Sequence, residues 1–160
     1  MRRKDREVTD AAQIREIIAA CRCCRVGFCE NGGIYIVPLN FGFCCEDGQY
    51  TFYFHSAKEG RKIGLLREKP SVGFEMDTGY VLHTADTACG HSAAYQSIIG
   101  TGTAEIVTDA AEKRKGLSLL MLHETGRKDW DYPAADTVTV FKITVHELSC
   151  KARIGGGVLS

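Results

Sequence analysis

The chain lacks a net charge, a long apolar run, an internal repeat and a second C-x-x-C pair, and each absence excludes something. Lys plus Arg and Asp plus Glu both number 20, so no global field draws the protein toward nucleic acid or an anionic membrane. A nucleic-acid reader needs a basic face. Only "MRRK" and residues 58–69 are locally basic, and no nucleic-acid partner is expected. No apolar stretch approaches the ~18 residues that span a bilayer. The basic start "MRRKDREVTD" is not followed by the apolar segment of a secretory signal. No membrane partner is expected, and the expected location is the cytoplasm.

Cysteine, in contrast, is plentiful: Cys21, Cys23, Cys24, Cys29, Cys44, Cys45, Cys89 and Cys150. In a reducing compartment structural disulfides are not expected, leaving metal ligands, redox thiols or small buried apolar residues. Cys21 and Cys24 form a C-x-x-C where a helix hands over to a strand, and Cys89-x-His91 is the one other ligand-like pair. Structural zinc sites show two well-formed pairs, so no metal is expected, and buried or half-buried free thiols are. With 160 residues, 44% hydrophobic and 25% charged, residues 1–160 read as one ordinary globular domain. A domain of this size buries roughly 70% of its unfolded surface. Residues 1–8 and 154–160 are expected to be loose ends.

Along the chain, Thr9 or Asp10 can cap a helix carrying Ile14, Ile17, Ile18 and Cys21 on one face. A strand at 23–29 meets "ENGG" (Glu30 to Gly33), a strong hairpin signal. The β-rich run "IYIVPLNFGFCC" follows; within it Pro38 cannot donate to a ladder and marks an edge, a bulge or a departure. "EDG" closes a second hairpin into a strand from Gln49 to Phe54. A helix is expected at 57–67, a strand at 71–76, and a polar loop after it. The strand 94–107 carries Gly100 and Gly102 on one face, for close approach of backbone or ligand or for a barrel bend. A helix at 109–123, the loop "WDYP" and the cleanly alternating strand 137–148 complete the chain. Hairpins dominate over βαβ alternation. The fold class is therefore mainly β with α: six or so antiparallel strands in a closed, Greek-key-like barrel with two or three helices at its openings.

One stretch points to chemistry. "TFYFHSAKEGRKIGLL" (Thr51 to Leu66) is a strand that stops at His55-Ser56 and turns into a basic helix start. Unpartnered N–H groups and the helix dipole favour an anion there. The alternative is a solvated helix face.

The hairpin order and the segments "IVPLNFGF" (36–43), "YFHSAKEGRKI" (53–63), "YQSIIGTGTAEIV" (95–107) and "LMLHETG" (120–126) together resemble the pyridoxamine 5′-phosphate oxidase-like, FMN-binding split-barrel superfamily. Within it the chain is most similar to the NimA-type proteins associated with 5-nitroimidazole resistance. The resemblance runs over nearly the whole chain and implies that the anion is the FMN phosphate. Val37, Pro38, Leu39 and Asn40 would line the isoalloxazine, largely through backbone groups. Phe54, His55, Ser56 and Ala57 would form the phosphate turn. Lys62 would supply the fixed charge, with Lys58 and Arg61 as helpers. The resemblance also implies a homodimer with FMN at the interface, reached from the partner strand by Tyr95, Gln96 and Ser97, which otherwise form an ordinary solvent-facing strand.

The implied activity is an oxidoreductase of the nitroreductase type, passing electrons from NAD(P)H through FMN to a small acceptor. His55 is the candidate acid or base, unless it only holds the phosphate turn. Alternatives within the resemblance are pyridoxamine phosphate oxidation, another flavin reductase activity, or a flavin or haem carrier without turnover.

Overall fold

The computed structural model describes residues 3–153. Two hairpins organise the first half. β2 (Cys24–Glu30) and β3 (Gly33–Leu39) are joined through Asn31 and Gly32, at φ 36° and 83°. β4 (Gly42–Glu46) and β5 (Gln49–Ser56) are joined through Asp47 and Gly48, at φ 50° and 83°. Positive φ at both central residues is the turn whose twist matches the strands it joins, as "ENGG" and "EDG" predict.

The remaining strands are long. β6 (Ser71–His83) pairs antiparallel with β7 (Ser92–Ile106), and β7 with β8 (Thr139–Arg153). The predicted loop after Met76 is thus partly strand. Beyond a bulge between Thr78 and Val81, β6 and β7 continue outward as a paired arm. Residues 79–82 of this arm are exposed, so they need backbone pairing but no apolar alternation, and their sequence reads as loop.

Among the described residues, eight antiparallel strands form one sheet, seven of them in the order β3-β2-β6-β7-β8-β5-β4, where about six were expected. The eighth is β1 (Glu7–Val8), which pairs with Lys151 and Cys150 of β8. The start of the chain, expected to be loose, is therefore tied down from Glu7 by edge pairing, with Val8 buried. Residues 154–160, and Met1 and Arg2, lie outside the described residues. The sheet is open, where the pattern alone predicted closure; this is the split barrel that the resemblance implies. Its two edge strands, β3 and β4, are consecutive in the chain and separated only by Asn40 and Phe41.

Among the described residues, three α-helices cover the sheet. α1 (Ala11–Ala20) is capped by Asp10, whose Oδ1 accepts from Gln13 N at 2.8 Å. α3 (Ala110–Thr125) is capped likewise by Asp109 and ends at Gly126, φ 72°. α2 (Arg61–Glu68) starts later than predicted, because Gly60 at φ 136° cannot belong to a helix. Phe28, Phe41, Phe52, Phe54 and Phe141 are all 0% exposed and form the centre of the core. Phe54 stacks on Phe141 at 4.9 Å, and Phe41 meets Phe52 edge-on at 5.8 Å.

Gly100 and Gly102 also belong to the core. A Cβ at Gly100 would stand 2.4 Å from both the Glu147 carbonyl oxygen and the Phe74 ring. One at Gly102 would stand 2.5 Å from the Thr144 carbonyl oxygen, beside a bulge between Thr101 and Gly102. The barrel bends here, and backbone makes the close approach.

Candidate functional site in the split

β4 is paired to β5 only as far as Gly42 opposite Tyr53. Phe54, His55 and Ser56 pair with β8 on their other side and have no strand on this one. β3 pairs with β2 along one edge, and its other edge is free. The segments 37–40 and 54–57 thus flank the same corner, each with unpaired backbone edge. The chain turns that corner at Asn40–Phe41, with Phe41 plugged into the core beneath it. Pro38 sits here, opposite Arg25 on the edge strand, where a missing donor costs the sheet little.

Strand alternation decides which groups reach the split. Phe54 points into the core and can contribute only backbone. His55 faces out and is exposed, and its ring has no hydrogen-bond partner among the described residues. Ser56 faces in. It is the one buried polar residue among those described, 5% exposed, and its Oγ has no hydrogen-bond partner. A buried hydroxyl without a partner is costly and uncommon.

Ala57 and Lys58 follow in an exposed turn, and α2 begins at Arg61 without a side-chain cap. The N–H groups of Ile63 and Gly64 both donate to Gly60 O, at 3.0 and 3.1 Å. Those of Arg61 and Lys62 precede the first backbone bond of the helix and remain available. Lys62 is half-buried and Lys58 exposed, and neither forms an ion pair among the described residues. Arg61 differs: its Nε donates to Glu30 Oε1 at 2.9 Å, and its guanidinium lies 4.1 Å from the centre of the Tyr35 ring. The guanidinium in turn holds the Glu30 carboxyl below its ordinary pKa.

Tyr95, Gln96 and Ser97 are not brought to this corner. They lie on β7, where Gln96 pairs with Thr78 and Ser97 with Asp77 of β6, and β6 and β2 separate them from β3. The Tyr95 hydroxyl accepts from Arg6 Nη1 at 3.1 Å.

His123, near the end of α3, reaches across to other elements. Its Nδ1 donates to the Phe41 carbonyl at 2.6 Å, and Nε2 lies 3.2 Å from that of Ala19. It ties α3 and the end of α1 to the corner. Only its place in "LMLHETG" marked it in the sequence; nothing local shows which carbonyls it meets.

Of the eight free thiols, Cys21, Cys24 and Cys150 are buried in the core, Cys23, Cys29, Cys44 and Cys45 are half-buried, and Cys89 is exposed. Burial pushes Cys21 up to about 12 and Cys150 up to about 11, and raises Cys24 as well. No group of three or more His, Cys, Asp or Glu among the described residues is arranged to hold a metal ion.

This geometry can be set beside known proteins. The family profile described as pyridoxamine 5′-phosphate oxidase matches residues 10–152. The chain belongs to that family. No curated protein matches it in sequence. Among solved structures it is similar to a candidate 5-nitroimidazole antibiotic resistance protein from Bacteroides thetaiotaomicron, at 32% identity and TM-score 0.77, covering 91% of this chain and 86% of that one. It shares the fold of a flavocytochrome from Azotobacter vinelandii, at 22% identity and TM-score 0.78, covering 100% and 74% of the two chains. A FAD- and haem-binding protein from Mycobacterium smegmatis has the same fold at 15% identity and TM-score 0.78, covering 97% and 77%. The family membership and split-barrel fold implied by the four sequence segments are both found.

Proposed function

We propose that this family member binds FMN in the split between β3 and β5 and is an oxidoreductase of the nitroreductase type, drawing electrons from NAD(P)H. The observation that carries the reading is Ser56: a buried hydroxyl without a partner, at the end of the strand that turns into an uncapped, basic helix start. An anion there gains the Ser56 hydroxyl, the free N–H groups of the first turn and the unpaired charge of Lys62. Lys58 adds charge from the exposed turn. Val37, Pro38, Leu39 and Asn40 present backbone along the free edge of β3 to a flat ring. Bound in this place, FMN supplies hydride acceptance from a reduced nicotinamide and onward transfer to a small acceptor. His55, on the outer side of the same turn, holds the phosphate end or moves a proton at its imidazole.

The working unit in this proposal is a cytoplasmic homodimer. Ile34, Ile36 and Ile99 are 63%, 62% and 52% exposed on the outer face of β3 and β7. Between them, Gly27 lies in register with both Ile36 and Gly73, two positions without side chains, beside the row in which the Arg25–Glu75 ion pair stands next to Ile99. Tyr80, Val81 and Leu82 extend the apolar surface along the arm. Such a patch is what a partner subunit covers, and a partner would bring its own Tyr95, Gln96 and Ser97 toward the split.

The test is FMN titration of flavin-free protein. Lys62→Ala is expected to weaken FMN by about tenfold or more, the loss of a charge-assisted bond. Unchanged affinity would remove the phosphate assignment. Steady-state oxidation of NADH or NADPH with a nitroaromatic acceptor then distinguishes an enzyme from a carrier.

A further inference from the structure

We propose that Arg61 is a positioning residue that clamps the β2–β3 hairpin to the start of α2 and so sets the width of the split, leaving the flavin phosphate to its neighbours. The inference rests on the flavin reading above and departs from the expectation that Arg61 helps to hold the phosphate.

Three groups make the clamp. Glu30 is the last residue of β2, Tyr35 lies on β3, and Arg61 opens α2. The Arg61 Nε donates to Glu30 Oε1 at 2.9 Å, a second guanidinium nitrogen meets Glu30 Oε2, and the plane lies over Tyr35 at 4.1 Å. The guanidinium fork is thus taken by a carboxylate and its face by an aromatic ring, which is how arginine makes its most directional contacts. Its charge is matched by Glu30, whereas Lys58 and Lys62 keep theirs unmatched among the described residues. Tyr35 is two residues from Val37, at the ring end of the split, and Arg61 is next to Lys62, at the phosphate end. One side chain therefore connects the two walls between which a flavin would be held.

A phosphate ligand and a clamp predict opposite signs for a change at Glu30. If Arg61 holds the clamp, Glu30→Gln weakens FMN by about threefold and Arg61→Ala by about tenfold, the scale of a bidentate ion pair with and without its aromatic contact. Riboflavin, which has no phosphate, is weakened by the same factors, because the walls and not the anion are affected. If Arg61 is a phosphate ligand, Glu30→Gln frees it from a competing carboxylate. FMN then binds more tightly and riboflavin is unchanged, which overturns the proposal.

Amide hydrogen exchange of flavin-free protein gives an independent reading. The clamp predicts faster exchange in Glu30→Gln at both 34–39 and 61–65; exchange unchanged in both overturns it. Wild-type protein that binds neither flavin overturns the functional reading and the positioning role together, while exchange still reports whether hairpin and helix are tied.

Discussion

Ser56 carries more of the functional reading than any charged residue: a lysine on a surface is ordinary, and a buried hydroxyl without a partner is costly. Of the three such hydroxyls among the described residues, those of Tyr50, Ser56 and Tyr132, that of Ser56 is the one at the 54–57 turn. Removing it separates two effects. Ser56→Ala deletes an unsatisfied polar group, so flavin-free protein is expected to gain about 1 kcal/mol of stability in denaturant unfolding. The same change is expected to weaken FMN about tenfold. A loss of stability in the flavin-free variant would mean that the hydroxyl already has a partner, and the site would lose its principal support. The thiols give a second expectation at this scale. Cys21 and Cys150 are raised from the ordinary thiol value of 9.0, to about 12 and about 11. Above pH 9 the unfolded chain loses these protons while the folded chain keeps them, so their contribution is complete below pH 9 and declines as pH rises toward 11. The denaturant midpoint should fall over that window, and less steeply in Cys21→Ala and Cys150→Ala. A fall of equal steepness would assign the alkaline loss to other groups. Ser56 could be named from sequence because "FHSA" sits where a strand ends. Its lack of a partner could not, since that depends on how β8 and α2 pack around it.

At the scale of elements, much of the chain was legible because local chemistry dictates it. Asp10 and Asp109 cap helices, Asn31-Gly32 and Asp47-Gly48 make hairpin turns, and Gly126 ends α3. What was not legible is the break between β3 and β4. Residues 34–45 read as one β-rich run interrupted at Pro38, yet Pro38 stays within β3, and the chain leaves the strand at Asn40–Phe41. The reason lies far away in sequence. Gly42 begins β4 directly against the α3 backbone, and a Cβ there would stand 2.2 Å from Leu120 N and 2.3 Å from the Leu119 carbonyl carbon. Backbone cannot rotate aside as a side chain can, so Gly42→Ala is expected to cost about 3 kcal/mol. Thermal unfolding measures it. A cost near zero would mean that α3 can lift from the corner freely, and that His123 does not hold it there.

For the molecule as a whole, the sheet order was beyond reach of the pattern. β2 and β6 are neighbours although three strands and a helix lie between them in sequence, and only the resemblance supplied an open barrel in place of a closed one. That order brings 37–40 and 54–57 to one corner and leaves 95–97 on another part of the sheet. It therefore makes the proposed site depend on a second copy if those three residues are to take part. The most direct measurement is sedimentation of the protein purified without added cofactor, recorded at visible wavelengths, with the pigment then released and identified. The account predicts flavin absorbance moving with a dimer, and FMN released at one per chain. A colourless protein that also fails to take up added FMN, or a Soret band in place of flavin, would contradict it.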